Sequence, residues 1–260
     1  MVAERFESAL WETSSLLLAA RGEAVLVDPG ISAEEVGRIA DRADELGVRV
    51  TCVLTTHADW DHVCGIAAFP DAAAMMGTQT AARVDSHAGV ARRAAELGLR
   101  IAGEPRADRT FEPGTAMQAG PFLAETLAMP GHTPDGVAYR FRELDLLAVG
   151  DHLSAVEFPF VTSPAAYRTT LAGLIELLRR DPPARVVPGH GPQLSAPEAL
   201  EIAEADLAYL WALHEAVRAA PSSNAARTAA LTVQVPRPAD SFEEAHAANV
   251  KVAIAEVFGS

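Results

Sequence analysis

Eight consecutive residues, Thr55-Thr56-His57-Ala58-Asp59-Trp60-Asp61-His62, constrain this chain more than any other stretch. His57, Asp59, Asp61 and His62 are all metal-competent and stand almost side by side. The run directly follows Val50-Thr51-Cys52-Val53-Leu54, an apolar and β-branched segment that reads as a buried strand. The cluster therefore sits at a strand's C-terminal end, where the loops of layered α/β proteins carry their chemistry. The spacing His-x-Asp-x-Asp-His lets one short loop aim side chains at two neighbouring cations. The competing reading is a polar turn, because short motifs also arise by chance.

Metal-competent residues recur at later strand ends. Pro130-Gly131-His132-Thr133-Pro134-Asp135 follows one apolar stretch, Val149-Gly150-Asp151-His152 follows Leu144-Asp145-Leu146-Leu147-Ala148, and Pro188-Gly189-His190-Gly191 follows Arg185-Val186-Val187. In this set and order the residues resemble the metallo-β-lactamase superfamily, whose pattern is His-x-His-x-Asp-His, then Gly-His, Gly-Asp and a last Gly-His. The resemblance covers about the first two hundred residues. It implies an α/β fold, the four-layer αββα sandwich, with two divalent metal ions at one edge between the sheets. Carried over position by position, it implies that His57, Asp59 and His132 hold one ion and Asp61, His62 and His190 the other, with Asp151 bridging. Asp61 and Asp151 are the residues expected to be catalytic. Imidazole and carboxylate ligands suit zinc, the expected metal, and also accept manganese or iron. Such a pair, roughly 3.5–4 Å apart, deprotonates a bridging water and polarises the scissile bond, so hydrolysis needs no side-chain nucleophile.

One position departs from that pattern: Asp59 stands where histidine is usual. Counting two divalent ions against Asp59, Asp61, Asp151 and a hydroxide gives a formally neutral centre, where a histidine would leave one positive charge. A less positive centre grips an anionic substrate less firmly, and the harder oxygen donor tilts the site slightly away from zinc. The alternative is that Asp59 stands behind the ligands of a one-metal enzyme.

Charge narrows the partners. The formal net charge of −14 repels polyanions at long range, and no Lys/Arg run offers a local exception, so a small-molecule substrate is expected and nucleic acid is not. The doublets Arg92-Arg93 and Arg179-Arg180 read as solvated helix faces. No signal-peptide pattern opens the sequence and no stretch is apolar enough to span a bilayer, so the expected compartment is the cytoplasm, with no membrane partner. Cys52 and Cys64 read as free core thiols.

The remaining elements follow from local signals. Residues 16–20 and 24–27 read as a hairpin, Ser32-Ala33-Glu34-Glu35 as a capping box opening a helix, and 48–54 as the strand that delivers the metal loop. Residues 78–97 read as one helical stretch and 99–129, rich in Gly and Pro, as an antiparallel meander. Ser163-Pro164 and Ser195-Ala196-Pro197-Glu198 open two more helices. Domain organisation is read as residues 1–220 for the αββα unit and 221–260 for a helical tail, with Pro221-Ser222-Ser223-Asn224 as linker and a third capping box at Ser241-Phe242-Glu243-Glu244. On that last helix Phe242, His246, Asn249 and Ala253 share a stripe, which reads either as a lid with His246 or Asn249 facing the substrate or as a face packed on the preceding helix with its polar members reaching solvent at the margin.

Among other candidates, Asp28 is expected to orient the metal loop from behind. His152 is either pocket wall or buried support. Trp60 and Tyr167 read as packing residues, and His87 and His214 as ordinary histidines. The leading function is a dinuclear metal hydrolase of a small ester, lactone or thioester. A glutathione thioester ranks lower because the tail carries only Arg227, Arg237 and Lys251 as cations. A phosphodiesterase or ribonuclease-type hydrolase and a non-catalytic metal-binding protein are the alternatives, and oligomeric state is not legible.

Overall fold

The computed structural model describes residues 1–86, 89–237 and 242–259. His87 and the Ser241 of the third capping box lie outside them. The chain runs β1 (Val2–Glu7), β2 (Ser14–Ala20), β3 (Glu23–Val27), α1 (Ala33–Glu45), β4 (Arg49–Thr55), α2 (Trp60–Val63), β5 (Ala73–Gly77), α3 (Thr78–Ser86), α4 (Val90–Glu96) and β6 (Arg109–Phe111). It continues with β7 (Ala116–Ala119), β8 (Phe122–Ala128), β9 (Val137–Phe141), β10 (Leu146–Ala148), α5 (Pro164–Arg180), β11 (Arg185–Val187), α6 (Ala196–Arg218), α7 (Ser223–Ala230) and α8 (Phe242–Phe258). The first sheet has the order β1-β2-β3-β4-β5-β6 and the second β11-β10-β9-β8-β7.

Alternation along each strand decides which layer a side chain enters. In β2, Leu16 and Leu18 point between the sheets to meet Phe122, Tyr139 and Phe141, while Leu17 turns outward to Ile39 of α1. Both faces of the sheet are thereby covered, which is why β2 is apolar without a break. On the far side, Leu147 and Val186 pack under Leu171 and Leu174 of α5 and Leu210 and Leu213 of α6. The result is the αββα order. The capping boxes at Ser32 and Ser195 both form, each serine accepting from the backbone N–H three residues on.

Three local readings are corrected. Residues 99–129 do not form one meander: β6 joins the first sheet parallel to β5, and of this stretch only β7 and β8 pair antiparallel with each other, in the second sheet. Asp108 decides this, accepting the Ala74 N–H at 2.9 Å. The described residues of 78–97 form two helices, and Gly89, the residue before the second, stands at φ 127°, a backbone state that β-carbon-bearing residues avoid. The supposed linker is structured: Ser222 N-caps α7 by accepting from Ala225 N–H. Moreover, Ala226, Ala230, Ala245, Val250 and Ala253 share one core with α5 and α6, so the tail has no separate core.

Candidate metal centre

Strand ends and tight turns bring the expected residues to one edge of the sandwich. His57 and Asp59 lie in the turn after β4, whereas α2 starts at Trp60 and places Asp61 and His62 in its first turn. That change of backbone direction lets one short run serve two ion positions. His132 follows β8, and the Gly131 before it packs so closely on Tyr167 that a Cβ would strike backbone. Gly189, before His190, has no room for a Cβ because Asp151 Oδ1 occupies that space. The glycines of the motifs are thus required by close approach rather than by turn shape alone.

All four histidines are held from behind by Nδ1. His62 Nδ1 is 3.0 Å from Asp28 Oδ2, His132 Nδ1 is 3.0 Å from the Phe160 carbonyl, and His190 Nδ1 is 2.9 Å from the Trp11 carbonyl. Those partners only accept, so each Nδ1 carries the proton. His57 Nδ1 is 3.1 Å from Thr56 Oγ1, whose own proton goes to Asp28 Oδ2 at 2.6 Å, which forces the same tautomer. With Nδ1 committed, each Nε2 is the nitrogen left facing the cluster, the arrangement in which imidazole binds a metal once its proton is displaced.

These Nε2 atoms converge on Asp151. Its Oδ2 lies 3.5 Å from His57, 3.2 Å from His132 and 3.3 Å from His190, and its Oδ1 lies 3.1 Å from His62. Asp61 Oδ2 is 3.4 Å from His62 Nε2 and 3.5 Å from His190 Nε2. Three groups have ligand atoms within 4.8 Å of one another: His57, Asp59 and His132; Asp61, His62 and His190; and His57, His62 and Asp151 between them. The donor set fits a pair of divalent ions. His57 Nε2, His62 Nε2 and Asp151 Oδ1 are buried without a hydrogen bond, a costly state that metal ligation relieves.

Electrostatics point the same way. Burial opposes charge on the imidazoles, yet Asp151 and its neighbours outweigh it and raise His132 to about 10 and His190 to about 9. Asp151 itself is held well below the usual carboxylate range, the four histidines overcoming its burial. The cluster is built to bind positive charge, and protons compete with cations for it.

Asp59 occupies the N-cap position of α2 but makes no capping bond. Its Oδ2 faces His132 Nε2 at 3.3 Å and His57 Nε2 at 3.6 Å, and its Oδ1 accepts from Arg83 Nη2 at 2.8 Å. Arg83 also pairs with Asp135. The charge count from sequence omitted this cation, because α3 carries nothing in its local pattern that links it to the metal loop.

The other candidates sort out by burial. Asp28 is buried and stands behind the loop as expected, accepting the Thr56 N–H at 2.8 Å as well as holding His62. His152 is buried support, stacked on Tyr167 at 4.4 Å, and burial pushes its imidazole down to about 3. Tyr167 is core, and its hydroxyl donates to the Asp151 carbonyl at 3.1 Å. Trp60 packs edge-on against the half-exposed Trp11. Cys64 donates to the Trp60 carbonyl and Cys52 lies against Met75; both are free thiols.

His246 and Asn249 do not face a substrate. Both are buried, His246 against the Tyr209 hydroxyl at 2.9 Å, while Asn249 donates to the Pro159 carbonyl at 2.6 Å and accepts from Val161 N–H at 3.1 Å. Their stripe is polar because it ties α8 to the loop before α5. Sequence reading also missed Glu157 in that loop, whose carboxyl burial holds above the ordinary range, with His190 opposing. The carbonyls of Trp11 and Phe160 were equally out of reach, since a backbone acceptor leaves no mark in side-chain patterns.

A family model described as the metallo-beta-lactamase superfamily matches residues 9–190. The hydroxyacylglutathione hydrolase of Cereibacter sphaeroides is 33% identical over 138 residues, covering 53% of this chain and 46% of that protein. The mitochondrial persulfide dioxygenase ETHE1 of Bos taurus is 31% identical over 135 residues, covering 50% of this chain and 43% of that protein. The chain thus spans about half the length of these curated relatives. Among solved structures, TTHA1623 in a di-iron-bound form has a TM-score of 0.61 and 25% identity, covering 76% of this chain and 98% of that one.

Proposed function

The chain belongs to the metallo-beta-lactamase superfamily, and on that premise we propose that it is a dinuclear metal-dependent hydrolase of a small acyl compound: a thioester, an ester or a lactone. The observation that carries this reading is the convergence of four Nε2 atoms on the Asp151 carboxylate, flanked by one ligand triad on each side. When bound there, two divalent cations supply an activated water and draw electron density from the scissile carbonyl.

The chain's own residues do the rest. Asp151 joins the two halves, Asp61 completes the triad with His62 and His190, and Tyr167 fixes the Asp151 backbone. The centre is most open at Asp59 and His132, whose side chains are 33% and 15% exposed, against 0–10% for the other five. A substrate carbonyl enters on that side. The relatives named hydroxyacylglutathione hydrolase bring a thioester forward from its lower place in the sequence reading. Arg237 is committed to Asp206 at 2.6 Å and is not free to hold an acidic substrate group. A small molecule, rather than nucleic acid, is the partner proposed.

Zinc is the ion we favour. Iron is the competitor, because Asp59 adds an oxygen donor and a related fold is known in a di-iron form. A second reading, an oxidoreductase acting on persulfides, is favoured by the similarity to persulfide dioxygenase ETHE1. No helix of the described residues is long and apolar enough to cross a membrane.

The test is one panel on protein reconstituted with zinc or with iron. Release of thiol or acid from thioesters, esters and lactones is measured beside phosphodiesters and β-lactams, and oxygen uptake is followed with glutathione persulfide. Chelator-sensitive acyl hydrolysis is the expected result. Oxygen uptake without hydrolysis replaces it with the oxidoreductase reading, and inactivity in every arm at full metal loading removes both.

A further inference from the structure

The residue that departs from the family pattern is backed by a partner that only the fold reveals. Arg83, on α3, donates through Nη2 to Asp59 Oδ1 and through Nη1 to Asp135 Oδ1. Asp135 is buried, and its other oxygen accepts the Ala58 N–H at 2.9 Å. The guanidinium is therefore anchored to the metal loop at both ends. Only Asp59 Oδ2 is turned toward His57 and His132.

A histidine at position 59 would offer one nitrogen and no net charge. An unsupported carboxylate would offer two oxygens and a full negative charge, and it would be free to swing or chelate. Holding one oxygen in the fixed fork of an arginine removes that freedom, and the arginine, which stays protonated in proteins and is shared with Asp135, offsets part of the charge. A rule broken locally supports this assignment: an aspartate at an N-cap normally accepts a backbone N–H of the next turn, and Asp59 does not.

We propose that Arg83 is a positioning residue that makes Asp59 a one-atom, charge-compensated metal donor, the two together standing in for the histidine of the family pattern. The proposal rests on Asp59 being a ligand in the dinuclear reading above. It has a consequence for selectivity. Asp59 lies on the open side of the centre, so Arg83 sets how strongly an anionic group of the substrate is held there.

The experiment uses the full chain loaded with cobalt(II), which is visible spectroscopically, and titrates it with azide as a simple anion. Wild type, Arg83→Gln, Asp59→His and the double variant are compared. Arg83→Gln makes the surroundings one unit more negative and is expected to weaken azide by about tenfold; Asp59→His makes them one unit more positive and tightens it by about the same factor. The double variant returns to within about threefold of wild type. An azide affinity untouched by Arg83→Gln, or a double variant that behaves like Asp59→His, overturns the proposal. Should Arg83→Gln not fold, Arg83→Lys keeps the charge but loses the fork: wild-type azide affinity with faster cobalt loss to a chelator supports the positioning role, and unchanged cobalt retention overturns it. Wild-type protein that takes up fewer than two cobalt ions overturns the dinuclear reading and this proposal with it, whereas two ions with no azide response to Arg83 sinks the proposal alone.

Discussion

Asp28 and His62 lie 34 positions apart in the chain, and Asp28 Oδ2 stands 3.0 Å from His62 Nδ1. The same carboxylate takes the Thr56 N–H at 2.8 Å and the Thr56 hydroxyl at 2.6 Å. One buried acid therefore sets the tautomer of His62 directly and that of His57 through Thr56. Asp28→Asn is expected to weaken metal binding by about 10–100-fold, the usual effect of losing such a backing group. Competition with a chromophoric chelator reads it, and an affinity within about threefold of wild type would show that Asp28 serves only the fold.

Among the described residues, Asp151 is the one carboxylate within 3.5 Å of the imidazoles of His57, His62, His132 and His190. Replacing it should cost more than replacing a residue behind the ligands, because both ion positions lose a donor at once. Asp151→Ala is expected to drop turnover and metal affinity by more than about a hundredfold. Elemental analysis after gel filtration checks the second part. Two ions retained per chain would place Asp151 outside the bridge.

Asn249 reaches the centre through backbone. It grips Pro159 and Val161, and the Phe160 carbonyl between them accepts from His132 Nδ1. Asn249→Ala leaves those buried backbone groups unpaired, a loss of about 1–3 kcal/mol in stability. It should also loosen the ion held by His132 while sparing the one held by His190. Stepwise metal release during chelator titration distinguishes the two sites. Equal loosening of both, or neither, contradicts this path.

Asp206 and Arg237 form a buried pair on α6 and the segment before α8. Burial outweighs the arginine and raises Asp206 from 3.8 to about 6. The folded state then holds this proton where the unfolded state has lost it. The stabilisation is complete below the unfolded value and is lost as pH climbs through the folded one. Stability should therefore fall by up to about 3 kcal/mol between pH 4 and pH 6.5 on account of this group. Urea melts of wild type and Asp206→Asn across that range check it: the slope unique to wild type must be downward, and an upward slope reverses the assignment.

Elements held by neighbours in sequence were legible. The ligand run after β4 needs only a strand to end at Thr55, and the capping boxes at Ser32 and Ser195 close on residues three positions away. The alternation of Leu16, Leu17 and Leu18 between two cores follows from strand geometry. For the same reason the seven ligand-type residues could be named from four short motifs.

What the sequence could not carry was everything decided by distance rather than chain separation. β6 leaves the expected meander because Asp108 finds Ala74, and the stripe of His246 and Asn249 turns inward because Tyr209 and the Pro159–Val161 backbone are there to satisfy it. The residues alone determined that Asp59 brings a negative charge to the metal loop. Only the folded chain decided that Arg83 stands 2.8 Å away to offset it, since Coulomb attraction depends on separation in space and is blind to the 24 positions that separate the two in sequence.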